Sequence, residues 1–249
     1  MTATATSAVT MTGAQFHRLL AAVLPSAATD DVLPQLNAVH LETGPYGVYA
    51  AATDRYTFAV ARHADPAPGR RAAQITIPRA AALAMLRLTR RRDPLATVRI
   101  VGGHLTLRTA AGITYRTPAV DTRGCGGFPD WRRTFARLLA SPEAPGRPVH
   151  LNAAFLARFT AATDTAGLRV SIVRPPDSRR CHTLVITAGD WFLGALMSLA
   201  DPPTPPAPAP PGTPTSAPSR PPDPASPAPL HREEHLSWPT SRPPPSPAT

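Results

Sequence analysis

The chain has 249 residues, a 43% hydrophobic fraction and a formal net charge of +10, which leaves room for one or two domains with true cores and excludes a wholly disordered protein. More than half of its 33 prolines fall beyond Leu199, in a run dominated by Pro, Ala, Ser, Thr and Arg. Too few large apolar side chains remain there to offset the entropy of ordering, so residues 201–249 read as a disordered Pro-rich tail.

Three segments of the first 200 residues share one layout: a short polar lead-in, an amphipathic helix, then two or three strands. The helices are expected at Gly13 to Leu24, Pro78 to Arg92 and Asn152 to Thr163, starts that recur at a period of roughly 70 residues and mark an internal repeat. In the first segment, strands over Leu41 to Ala50 and Tyr56 to Arg62 bracket the turn-like Thr53-Asp54-Arg55. The second helix starts at a proline and ends before Asp93-Pro94. On a helical wheel it sets Arg79, Arg87, Arg90 and Arg91 against Ala81, Met85 and Leu88, with Leu83 and Leu86 blurring the division. Strands Thr97 to Val101, His104 to Thr109 and Ile113 to Pro118 are split by Gly102-Gly103 and Ala111-Gly112. The third segment ends in a meander over Leu168 to Val173, Thr183 to Thr187 and Trp191 to Leu199. Helices on one face of antiparallel sheets give an α+β class.

The charge excess lies in the first 200 residues and points to a polyanionic partner. Every basic residue is arginine, none lysine, a bias that genome composition can also produce. Cys125 and Cys181 stand far apart with no second cysteine at metal-ligand spacing, which argues against a disulfide scaffold or zinc site. No metal or cofactor is expected. No basic region followed by an apolar run opens the chain, and no stretch reaches bilayer-spanning length, so the expected location is cytoplasmic. His231-Arg232-Glu233-Glu234-His235 spells a metallopeptidase pattern, but between prolines it lacks the stable helix and third ligand that the chemistry needs. No phosphate-binding loop, dinucleotide fingerprint or nucleophile elbow occurs. Binding functions are the leading readings, and an enzyme ranks third.

The run Leu36 to Glu42, then Ala52-Thr53-Asp54-Arg55-Tyr56-Thr57-Phe58-Ala59-Val60, resembles the middle domain of bacterial sliding clamps, the DNA polymerase III β subunits. The similarity continues through Ile77-Pro78-Arg79 and through Gly127-Phe128-Pro129-Asp130-Trp131-Arg132-Arg133, with Trp where that family has Tyr. Asn152 to Leu199 resembles the second half of the family's third domain. The expected organisation is therefore a complete clamp domain at 10–140, half a clamp domain at 148–200, and the tail. A first domain and the first half of the third have no counterpart.

The resemblance implies a non-catalytic DNA replication processivity factor, whose inward helices touch duplex DNA without reading sequence and whose outer pocket holds peptides from DNA polymerase and other partners. Arg18, Arg79, Arg87 and Arg158 are the expected DNA contacts. The peptide pocket carries over to Leu36, Thr53, Arg55, Tyr56, Thr57, Phe58, Pro129, Arg133, Thr134, Met197, Ser198 and Leu199. Three positions depart from the family: Arg55 stands where Gly is common, Thr57 where Arg is common, and Ser198 where Pro shapes the last strand. His235-Leu236-Ser237-Trp238 loosely resembles the peptides that clamps bind, and could return to the pocket on its flexible linker. An orphan half-domain leaves an open sheet edge. Pairing of third segments in a homo-oligomer would allow a ring; a chain that stays monomeric would act instead as a truncated, peptide-binding decoy or regulator.

Overall fold

The computed structural model describes residues 7–199 apart from 66, 68–70, 90–94, 123–124, 145–148, 164–166 and 177–181. A first unit runs β1 (Ser7–Met11), α1 (Gly13–Val23) with a 3-10 turn at Leu24–Ser26, β2 (Ala38–Gly44), β3 (Gly47–Thr53) and β4 (Thr57–Ala64). A second repeats the order: β5 (Ala73–Pro78), α2 (Arg79–Leu88), β6 (Ala96–Val101), β7 (His104–Thr109) and β8 (Thr114–Pro118). After α3 (Trp131–Ala140), a third unit has α4 (Ala153–Leu156), continued by a 3-10 turn at Ala157–Ala162, then β9 (Arg169–Val173), β10 (Thr183–Ala188) and β11 (Phe192–Met197). The α+β class is as expected from the sequence. The tail, with its His231 to His235 and His235 to Trp238 motifs, lies outside the described residues, as do Arg90 and Arg91.

The first two units interlock. Each sends its lead strand into the other's sheet: β1 pairs with β6 (Val9↔Val98) and β5 pairs with β2 (Val39↔Ile77). The lead-ins expected as polar are thus strands, and their alternating burial gives them a core face. One sheet runs β1-β6-β7-β8. The other, β5-β2-β3-β4-β11-β10-β9, continues from the first unit into the third through an antiparallel seam, Phe58↔Ala195 and Thr57↔Leu196.

Both faces of this seven-stranded sheet are covered. Ala50, Ala52, Ala59, Ala61, Ile186 and Leu196 face the main core with Phe16, Leu19 and Leu20 of α1, Met85 of α2 and Phe159 of the third unit. Ala51, Phe58, Val60, Val185 and Ala195 face a second core closed by Phe135 and Leu138 of α3. Successive strand residues point to opposite faces, so a sheet buried on both sides reads as an unbroken apolar run. This explains one correction: Leu41 to Ala50, expected as a single strand, is a hairpin turning at Gly44 and Gly47. Gly47 sits at φ 130°, and a Cβ there would come within 2.1 Å of the His63 carbonyl oxygen, so only glycine fits.

The helices differ from expectation in detail. The box Thr12 and Gln15 caps α1, the Thr12 N–H donating to Gln15 Oε1 at 2.7 Å and the Gln15 N–H to Thr12 Oγ1 at 3.1 Å. Asn152 caps α4 through the Ala154 N–H at 2.9 Å, yet only one α-helical turn forms before the chain tightens to 3-10 geometry. Helix α3 had no counterpart in the sequence reading. Its signals are Asp130, which accepts from the Arg133 N–H at 3.1 Å, and the buried spacing Thr134, Phe135, Leu138.

Candidate functional site

The seam between β4 and β11 gathers much of the expected pocket. Thr53 ends β3, and its hydroxyl donates to the Thr57 carbonyl at 2.7 Å. Asp54 accepts from the N–H groups of Tyr56 and Thr57 at 3.0 and 2.7 Å and from the Thr57 hydroxyl at 2.9 Å, the way an Asp builds a tight turn. Arg55, at φ 80°, takes the left-handed position that glycine adopts most easily. The turn leaves Tyr56 53% exposed, stacked on Phe155 with ring centroids 5.7 Å apart. The Met197 N–H donates to the Tyr56 carbonyl at 3.0 Å, which brings the last strand alongside. Met197 and Leu199 are 39% and 50% exposed. Ser198 is buried, its N–H donating to the His182 carbonyl and its hydroxyl accepting from the His182 N–H.

The other pocket positions are spread further. Phe58 is buried against Phe128 and Phe135 at centroid distances of 6.0 and 5.5 Å, which ties the seam to Pro129 and Thr134 on and before α3. Thr134 is fully buried, and Arg133 is exposed on the first turn of α3. Leu36 is buried in the Leu33–Asn37 turn ahead of β2, two strands from the seam. The exposed apolar part of the site is therefore Tyr56, Met197 and Leu199, with Phe155 beneath Tyr56.

Of the four arginines expected at DNA, Arg18 lies exposed on α1, its guanidinium 3.6 Å from the Trp191 ring centroid. Arg87 is exposed in the last turn of α2, and Arg79 is half-buried at its start. Arg158 is placed differently: it pairs with Asp54 and donates to the Thr57 hydroxyl at 2.9 Å, clasping the third unit onto the turn of the first. Neither that clasp nor Phe155 was part of the sequence reading, because both depend on contacts between units.

A second clasp fixes α3. Glu42 accepts from Trp131 Nε1 at 3.0 Å, lies 3.1 Å from His40 Nε2, and pairs with Arg132. Burial pushes its carboxyl pKa up, but His40 and Arg132 together outweigh burial and hold it below the ordinary value of 4.5. Glu42→Gln is expected to cost about 1–2 kcal/mol near neutral pH, at the low end because Arg132 is 36% exposed and its pair is screened. A folded-state pKa below the unfolded one means the contribution is full above about pH 4.5 and fades as pH falls through the lower value. Urea midpoints at about pH 7 and pH 3 check this; a wild-type-to-variant gap that does not shrink in acid would contradict it.

Residues 10–129 match the family described as DNA polymerase III beta subunit, central domain. No curated protein matches the chain. A DNA polymerase sliding clamp from Pseudomonas aeruginosa superposes with a TM-score of 0.61 at 16% identity, covering 78% of this chain and 66% of the clamp. The DNA polymerase III beta subunit of Thermotoga maritima gives 0.60 at 14% identity, with 79% and 66% covered. A putative beta subunit from Eubacterium rectale gives 0.62 at 8% identity, with 77% and 65% covered. The chain thus spans just under two thirds of the length of these proteins.

Proposed function

We propose, from the match of residues 10–129 to the central domain of the DNA polymerase III beta-subunit family, that this chain is a sliding-clamp-type replication factor. It is non-catalytic, holds duplex DNA without reading its sequence, and receives polymerase-type peptides at the β4–β11 seam. One observation carries the reading: the helical segments of all three units pack into a single core on one face of a continuous sheet, while α3 closes the other face. Arginines on such a helix layer meet phosphates, and the exposed end of the seam, at Tyr56, Met197 and Leu199, is left for partners.

Arg18 and Arg87 are the proposed phosphate contacts, with Arg79 at the entry to α2; Arg158 serves the Asp54 clasp. Contacts of this kind release counterions, so affinity for duplex DNA falls linearly on a log–log plot against salt. Arg18→Ala and Arg87→Ala are each expected to make that slope shallower by about 1 for every phosphate no longer neutralised, equally on unrelated sequences. Fluorescence anisotropy with two short duplexes of different sequence measures it. Binding that ignores salt, or variants that match the wild type, would overturn the assignment.

A further inference from the structure

The turn between β3 and β4 holds a strained residue that its own hydrogen bonds do not require. Arg55 takes φ 80°, and among the described residues it is the only non-glycine at positive φ. A Cβ disfavours that left-handed region, which glycine enters freely. The Arg55 side chain does nothing to hold the turn. Asp54 closes it by accepting from the Tyr56 and Thr57 N–H groups, and the Thr53 hydroxyl donates to the Thr57 carbonyl. Arg55 adds only its backbone N–H, donated to Thr53 Oγ1 at 3.2 Å. A glycine would make the same bonds without the strain. Strain that local structure does not use points to a role beyond the turn.

The position and charge of Arg55 supply that role. It is exposed and directly precedes Tyr56, and the Met197 N–H bonded to the Tyr56 carbonyl sets the last strand alongside. The other two charges of the turn cancel, because Arg158 pairs with Asp54. Among the described residues, no ion pair takes in Arg55. One uncompensated cation therefore stands at the rim of the exposed apolar patch of Tyr56, Met197 and Leu199. We infer that Arg55 selects among peptides at the seam, favouring those that carry a carboxylate beside the apolar residues seated on Tyr56 and Met197. An aspartate or glutamate there gains an ion pair, whereas a lysine meets a like charge. The inference rests on the peptide-binding reading of the seam and adds to it the charge of the partner.

The test uses the full chain and three labelled peptides with the same leucine–phenylalanine centre, flanked on both sides by serine, glutamate or lysine, read by fluorescence anisotropy. At about 0.05 M salt the glutamate peptide is expected to bind about three- to fivefold more tightly than the serine peptide, the range of an exposed ion pair, and the lysine peptide more weakly than either. The spread should shrink at about 0.5 M salt. Arg55→Glu should reverse the order. Arg55→Gly should bring the three affinities together, and its urea midpoint should equal or exceed that of the wild type, since the strain is gone. A wild type that binds all three alike, or a preference that survives Arg55→Gly, would overturn the inference and leave the peptide site standing. So would a lower midpoint in Arg55→Gly, which would give the side chain a structural task. Failure of all three peptides to bind would remove the peptide site and the inference with it.

Discussion

Phe159→Ala is expected to destabilise the protein by about 3–5 kcal/mol, the cost of emptying a fully buried aromatic site that cannot collapse. Phe159 is 0% exposed, meets Phe192 edge-on at 6.1 Å and shares the main core with Phe16 and Leu20 of α1. It lies so close to the seam strand that a Cβ on Gly194 would come within 2.7 Å of its ring. Gly194 pairs with Ala59 across the seam, so the ring, β11 and β4 form one packed unit. Removing the ring therefore loosens the joint between the first and third units as well as the core. Chemical denaturation measures the loss. A change under about 1 kcal/mol, or a separate early transition for the third unit in the wild type, would show that the seam is not continuous core.

The second large effect concerns the exposed end of the same seam. The double variant Tyr56→Ser, Met197→Ser is expected to weaken binding of a short peptide carrying a leucine and a phenylalanine by at least about 30-fold, the scale of a central aromatic anchor. Tyr56 and Met197 are 53% and 39% exposed, so their truncation creates little cavity and the melting temperature should hardly move. Tyr56→Phe keeps the stack on Phe155 and should bind as the wild type does. Arg158→Met, which breaks the pair with Asp54, should weaken binding less by loosening the turn. Fluorescence anisotropy with labelled peptide reads all four proteins. Unchanged affinity in the double variant would remove the seam as the peptide site.

What the sequence revealed follows from what each element depends on. The meander β6-β7-β8 was legible because its turns are local: Gly102 and Gly103 take φ of 58° and 72°, and the flanking strands β6 and β7 alternate in burial. The Thr53-Asp54-Arg55 turn was legible for the same reason. The split between β2 and β3 was hidden by burial on both faces, though Gly44-Pro45-Tyr46-Gly47 held the signal. The lead strands β1 and β5 were missed because their partners belong to the opposite unit, Val9 meeting Val98. The clasp of Arg158 on Asp54 joins residues 104 apart in sequence, and no helical-wheel argument could see it. Arg158 read as a surface cation because its partner is contributed by another unit.

The most direct measurement is the release of the bound protein from a nicked circular duplex and from the same duplex after linearisation, at about 0.15 M salt where exposed contacts are screened. Slow release from the circle and fast release from the linear form are expected of a factor that encloses DNA and slides along it. Equal release from both would contradict a clamp role and leave a peptide-binding decoy in its place.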